Sequence, residues 1–385
     1  MKILYVVSRP LEINTSASIR NRATIMGLVE NGHDVDLVTT EPDKNHFAYD
    51  KSMHLENVRI TYIKLDGIQS AARIGRKIKI LKPIKNLAIK YFESHNIYDN
   101  LKGIINHTSQ VNINDYDIII SSSDPKSSHL FVETAIKKSK QKYVGKWIQI
   151  WGDPFFSDIT LSESINKKNI YFEEKRLLSL CNRIVYVSKL TLETQKKLYS
   201  EYSDKMMFIP IPYLNEVKTP NRNFKDVKTI RLAYCGDYAS QVRNIMPLYD
   251  AVIESNLNIN LTICGNSDLN LLPVNNINIF KRQEYNIVEE IEKNADILIH
   301  ISNLSGSQIP GKIYQYTGTT KPILFILDGD EKAIREQFEQ FNRFYFVRNN
   351  SKEVQEMIRK IIFENKQFEC ISDFSKMQIA KKIIS

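Results

Sequence analysis

Glycine and proline are scarce, 13 and 12 in 385 residues. That scarcity excludes collagen-like and low-complexity architectures. No run of 18 apolar residues occurs, so no membrane-spanning helix is expected. The four cysteines, Cys181, Cys235, Cys264 and Cys370, are far apart, form no Cys-x-x-Cys pair and have no histidine cluster beside them. A zinc site is therefore not expected, and buried reduced thiols in a cytoplasmic protein are. The apolar run Ile3–Val7 is broken by Arg9 and Pro10 and is followed by no small-residue cleavage site. It reads as a first β-strand and not as an export signal.

What the chain does have is an ordinary globular balance, 42% hydrophobic and 25% charged residues. Its length suits two domains with separate cores. Short β-branched or aromatic runs recur at 2–8, 34–40, 58–65, 116–123, 142–151 and 183–188. They recur again at 207–212, 230–236, 257–265, 277–282, 295–302, 322–327 and 343–348. Helical stretches separate them, and 351–364 and 373–385 also read as amphipathic helices. Several strand runs are continuously apolar, which suits strands buried on both faces of a parallel sheet. The expected class is α/β, doubly wound. The polar segment 211–228 carries two prolines and reads as a linker. It divides an N-terminal domain, 1–210, from a C-terminal domain, 229–365, with a terminal helix in 366–385 expected to pack back on the first.

The net charge is +9, open at first to nucleic acid, anionic lipid or phosphorylated small molecules. Residues 71–102 hold eight basic and two acidic side chains, two-thirds of that total. After Pro83, residues Ile84, Leu87, Ala88, Tyr91 and Phe92 follow helical spacing. Such a helix meets an anionic membrane surface, or packs its apolar face on its own domain. No helix-turn-helix or RNA-binding signature accompanies the charge, so nucleic acid is not expected as a partner.

Three strand-end turns carry the chemistry. Cys235-Gly236-Asp237 ends one strand and Arg243 follows; Gly236 lets a ligand approach the backbone, and an arginine can grip a diphosphate with two parallel bonds. Cys264-Gly265-Asn266 ends a second strand. Pro310-Gly311-Lys312 precedes a helix, whose first N–H groups and lysine suit phosphate oxygens. Together they place a ligand site at the carboxyl edge of the second sheet. In the first domain Asp153 and Asp158 are candidate acids. Ser123 and Asp124 end a strand, and Thr15, Ser16 and Arg20 follow the first strand. His129 reads as structural. No Asp-x-Asp stands at a strand end in a metal-binding context, so no metal is expected.

Four segments resemble the family 4 glycosyltransferases of the GT-B fold. They are KILYVVSRP…RNRATIMGLVENGHDVDLVTT with Gly32 and His33, WIQIWGDPF (147–155), EEKRLLSLCNRIVYVSKLTLE (173–193) and QIPGKIYQYTGTTKPIL (308–324). The resemblance implies two Rossmann-like domains facing an interdomain cleft. It implies a nucleotide-diphosphate sugar in the C-terminal domain and a glycan or lipid-linked acceptor in the N-terminal one, with transfer that retains configuration. Gly236, Asp237, Gly265, Asn266, Ser307, Pro310, Gly311 and Gln315 would line the donor. Arg243 and Lys312 would carry the diphosphate, without a metal, and Asp153 would orient an acceptor hydroxyl or contact the donor sugar. Ser123, Asp124, Asp158, Thr15, Ser16 and Arg20 would stand on the acceptor side.

Two departures from the family pattern stand out. Asp237 occupies a position where an arginine is frequent, and Ser307 and Gln315 replace two glutamates. The resemblance implies surface-polysaccharide synthesis in the bacterial cytoplasm, at the inner membrane face. A binding subunit without turnover and a sugar-nucleotide epimerase remain as alternatives.

Overall fold

The computed structural model describes residues 1–65, 97–158, 167–219, 222–305 and 309–385. Ser307 lies outside the described residues, as does the basic stretch as far as residue 96. The chain divides into two units, one of Met1–Pro210 with Ile379–Ser385 and one of Ile211–Gln378.

The first unit carries seven strands: β1 (Lys2–Val6), β2 (Asp34–Thr40), β3 (Arg59–Ile63), β4 (Ile118–Ser122), β5 (Lys146–Trp151), β6 (Arg183–Tyr186) and β7 (Met206–Phe208). Its helices are α1 (Ser16–Glu30), α2 (Ser127–Lys138), α3 (Lys167–Leu180) and α4 (Lys189–Leu198). The sheet order is β3-β2-β1-β4-β5-β6-β7, and each pairing is parallel. The run at 207–212, read with the second half of the chain, gives the short β7 that closes this first sheet.

Both faces of the sheet are apolar because successive side chains point to opposite faces. Along β1, Leu4 and Val6 enter one core cluster while Ile3 and Tyr5 enter another. Trp147 and Trp151 on β5 fill the first cluster, and Ile148 and Ile150 the second. Ile379, Ala380 and Ile383 also belong to the second cluster, and the Arg183 guanidinium donates to the Ile383 carbonyl at 2.7 Å. Helix α1 stops at a turn where Gly32 has φ +81°, a conformation that β-carbon sterics disfavour in other residues.

The second unit has six strands: β8 (Ile230–Cys235), β9 (Ile259–Cys264), β10 (Ile277–Phe280), β11 (Ile297–Ile301), β12 (Ile323–Leu327) and β13 (Phe344–Arg348). They alternate with α5 (Met246–Ile253), α6 (Tyr285–Asn294), α7 (Lys312–Thr317), α8 (Glu331–Phe338) and α9 (Ser351–Glu364). A last helix, α10 (Lys376–Ile384), follows. The sheet order is β10-β9-β8-β11-β12-β13, again parallel throughout. The central strands β11 and β12 are buried at every position. That explains their continuous apolar sequences, ILIHI and ILFIL.

The stretch read as a linker is packed on this unit. Tyr213 and Leu214 are buried, and the Val217 and Tyr213 amides donate to the Gly318 and Phe374 carbonyls at 2.8 and 3.0 Å. Its polar composition did not keep its aromatic and aliphatic residues in water.

The core makes a stability contrast. Ile120→Ala, at a fully buried position of β4, should cost about 2–5 kcal/mol. Val144→Ala, 92% exposed, should stay within about 0.5 kcal/mol. Urea unfolding curves of the two variants measure the difference.

Candidate functional site

Each sheet has one place where the winding reverses. In the first unit the chain goes from β1 towards β2 and from β4 towards β5, in opposite directions. In the second the same reversal separates β8 from β11. At such a point the loops leaving two neighbouring strands diverge, and a crevice opens outside their carboxyl ends.

In the second unit the crevice is framed by backbone. The turn after β8, at Gly236 and Asp237, touches the turn after β9. The Gly236 amide donates to the Cys264 carbonyl at 2.9 Å, and the Asn266 amide to the Asp237 carboxylate at 2.9 Å. A β-carbon on Gly265 would lie 2.0 Å from the Gly236 carbonyl oxygen, so this position admits only glycine.

Arg243 spans the reversal. Its guanidinium donates to the Asp237 carbonyl, on the β8 side, at 2.5 Å and to the Asn303 side chain, after β11, at 3.0 Å. A β-carbon on Gly236 would be 3.8 Å from the same guanidinium. Arginine is thus fixed beside an open backbone turn, where a diphosphate oxygen can approach. Asp237 is held by Arg282 at 3.2 Å, which offsets its negative charge there.

The other second-unit candidates have different partners. The Lys312 ammonium lies 2.6 Å from Glu292, with both side chains largely buried, and 5.7 Å from the Tyr316 ring centre. Burial alone would push this lysine towards losing its proton, but Glu292 more than offsets that and holds its pKa above the ordinary value. Pro310 and Gly311 lead into α7, with Gly311 as its N-terminal cap residue. The Gln315 amide oxygen accepts from the Leu214 N–H at 2.9 Å, and its NH2 donates to the Pro212 carbonyl at 2.9 Å. Gln315 therefore fastens the 212–214 segment to the unit. Three residues of this site were not singled out from the sequence: Asn303, Arg282 and Glu292. Asn303 and Arg282 carry a sequence signal, each standing two residues past a strand end, and Glu292 carries none.

In the first unit the reversal gathers Arg20, Ser123, Asp124, Asp153 and Asp158. Buried Arg20 donates to the Ser123 carbonyl and, at 3.4 Å, to the Ser122 hydroxyl. The Gly152 amide donates to the Ser123 hydroxyl at 3.1 Å. A charge that sequence reading passed over completes the group. The Lys126 ammonium sits 2.6 Å from Asp124 and 2.8 Å from Asp158. Its signal was the adjacent Asp124-Pro125 strand end. The pKa of Asp153 is pushed up to about 7, first by burial and then by the neighbouring Asp124 charge. Glu174, buried on α3, braces the following loop by accepting from the Phe155 and Phe156 amides at 2.9 and 2.8 Å.

Thr15 and Ser16 serve the start of α1, where the Thr15 hydroxyl accepts from the Ser18 amide at 3.1 Å. His129 meets the Ser121 hydroxyl at 2.7 Å and lies tilted against the Trp151 ring, and burial drives its pKa down to about 3. It is a neutral core histidine. A hollow of about 850 Å³ on the flank of this unit, lined by Glu12, Arg22, His54 and Tyr62 among others, shares no residue with the cluster. Among the described residues no three His, Cys, Asp or Glu side chains are grouped to hold a metal ion.

Models of known protein families give no match to the chain, and neither do curated proteins. Solved structures do. Anabaena HepE in complex with UDP and glucose matches with a TM-score of 0.58 at 11% identity, over 100% of this chain and 96% of that one. Sucrose-phosphate synthase from Thermosynechococcus elongatus matches at 0.56 and 12%, over 100% and 95%. A putative UDP-N-acetylglucosamine 2-epimerase from Listeria monocytogenes matches at 0.52 and 11%, over 100% and 94%. The likeness is one of fold. Two parallel-sheet, Rossmann-like units give this chain the GT-B glycosyltransferase architecture.

The raised Asp153 pKa has a consequence for stability. The folded state favours the protonated carboxyl, so the stability this group contributes is present below pH 3.8 and is lost as pH rises through about 7. Asp153→Asn cannot ionise. Its urea midpoint should gain on the native protein between pH 4 and 7 and hold a constant offset above that range.

Proposed function

We propose that this chain is a glycosyltransferase that takes a sugar from a nucleotide-diphosphate sugar. The observation that carries the reading is Arg243, pinned across the β8–β11 reversal beside the Gly236 turn. A guanidinium fixed there in advance can stabilise the charge that grows on a departing diphosphate. The chemistry needs little else from the protein than that charge and alignment of the two substrates. The bond from the anomeric carbon to the diphosphate oxygen breaks, and a bond from that carbon to the acceptor oxygen forms on the same face. The acceptor proton passes to the leaving diphosphate, and configuration is retained.

The donor belongs to the second unit, against Gly236, Gly265, Asn266 and Arg243. The acceptor, a glycan or lipid-linked sugar, belongs to the first, with Asp153 orienting a hydroxyl. Arg243 supplies the positive charge that a metal provides elsewhere, so we read the transfer as metal-independent. Uridine is the first base to test, since HepE was solved with UDP. We place the enzyme in the cytoplasm, in surface-polysaccharide synthesis, with the basic stretch 71–102 as its contact with the inner membrane face. No helix of the described residues is long and apolar enough to cross a membrane.

A second reading, a nucleotide-sugar-binding subunit without turnover, draws on two observations. Lys312 is paired with Glu292, and Gln315 is engaged with the backbone. A thermal-shift panel of UDP, GDP, ADP and CMP should raise the melting temperature with one nucleotide. Arg243→Ala should weaken that nucleotide's binding at least tenfold. Slow hydrolysis of the matching nucleotide-sugar, undiminished by a chelator, supports the transferase. Binding without turnover, acceptors included, supports the subunit, and no binding at all rejects both.

A further inference from the structure

The amino edge of the second sheet carries a basic hollow that the donor reading leaves unused. It measures about 350 Å³, and its charged lining is Arg222, Arg231, Lys293, Lys321, Lys366 and a single acid, Asp296. Arg231 stands at the start of β8, Asp296 just before β11 and Lys321 two residues before β12. Gly236 and Asn303 follow the other ends of β8 and β11. The hollow and the donor crevice therefore lie at opposite edges of one sheet.

The charges in the hollow do not balance. The Asp296 side chain is 1% exposed, and both its oxygens are taken. The Arg222 guanidinium donates to it at 2.8 Å, the Arg231 amide at 2.9 Å and the Arg231 guanidinium at 3.4 Å. One buried carboxylate thus holds two guanidinium groups, each nearly half exposed and with N–H donors to spare. Lys321 adds a third cation. Its ammonium donates to the Lys293 carbonyl at 2.8 Å and to the Ala295 carbonyl, at the end of α6. Those carbonyls explain why a buried lysine is accepted there, but they carry only partial charge. Among the described residues no carboxylate lies within ion-pair distance of it. Lys293 and Lys366, by contrast, have Glu290 at 3.5 Å and Glu364 at 2.9 Å. Arg222, Arg231 and Lys321 against Asp296 alone leave a surplus of two positive charges. Burial pushes the Lys321 pKa down to about 8, and the two guanidinium groups add to the effect, which Asp296 only partly offsets.

We propose that this hollow binds the phosphate group of a small phosphate monoester, between the Arg222 and Arg231 guanidinium groups and the Lys321 ammonium. A monoester dianion matches the surplus charge. Guanidinium groups grip phosphate oxygens through parallel N–H bonds, and Asp296 fixes both of them in advance. A hollow of about 350 Å³ holds a small organic group beside the phosphate. It is a second anion site, and it does not depend on the transferase reading.

Isothermal titration calorimetry of the full chain with inorganic phosphate and with glycerol 3-phosphate, at constant ionic strength, tests the site. Each should bind saturably at a site that Arg243→Ala leaves within about twofold. Arg222→Gln and Lys321→Met should each weaken that site about tenfold or more. Lys366→Met, whose lysine is already paired, should change it by less than about twofold. No saturable binding overturns the proposal, and so does binding that survives both Arg222→Gln and Lys321→Met. Binding lost in Arg243→Ala but kept in Arg222→Gln belongs to the donor crevice and also overturns it. Vesicles of phosphatidylcholine with phosphatidic acid form a separate arm. Retention on them, lost in Arg222→Gln, with no binding of either soluble phosphate assigns the cations to a lipid headgroup and rejects the small monoester. Arg222→Gln leaves Arg231 on Asp296, so it decides alone should Lys321→Met not fold. Nucleotide affinity should stay unchanged in Arg222→Gln, which keeps failure of this site separate from failure of the donor reading.

Discussion

Parallel strand pairing decides where chemistry can occur in this chain. A parallel strand cannot return by a tight turn, so each needs a long crossover, and most of the crossovers described carry a helix that covers one face. Both faces are then sealed by apolar contacts, and the two ends of the strands are what remains. At most places along the carboxyl edge, consecutive loops lean the same way and close over it. Between β1 and β4, and between β8 and β11, they lean apart. Polar groups that have no place in the core gather there because the backbone leaves those two spaces open.

The two reversals are filled with opposite chemistry. The second unit presents a guanidinium and glycine backbone, a setting for anionic oxygen. The first unit presents two carboxylates, Asp124 and Asp158, on one ammonium. In each case one long cationic side chain is fixed by partners on both sides of the reversal or on both neighbouring loops: Arg243 by Asp237 and Asn303, Lys126 by Asp124 and Asp158. Fixing the cation beforehand removes the cost of ordering it when a ligand arrives.

The strand pattern was legible because strands buried on both faces write themselves as apolar runs, such as IIISS in β4 or ILFIL in β12. The glycine turn at Gly265 was legible for a related reason: a backbone contact that excludes a β-carbon allows one residue type. What could not be read were the partners of charged side chains. Lys312 was read as a cation for phosphate, and the partner of its ammonium, Glu292, stands twenty residues earlier on a helix of its own. Gln315, read as lining the donor, has its amide on the backbone of residues 212–214. Such pairings join elements distant in sequence, and nothing in local spacing encodes them. Lys126 was missed for the converse reason, since a lysine after Asp-Pro resembles any solvated turn until the fold encloses it.

The last residues of the chain belong to the core of its first unit. Ile379, Ala380 and Ile383 belong to the same core cluster as residues of β1, β2 and β4, and Arg183 on β6 grips the Ile383 carbonyl. During synthesis, the first unit therefore emerges with part of one sheet face uncovered, and it stays so while the whole second unit is translated. Closing that face joins the first segment of the chain to one that follows the whole second unit.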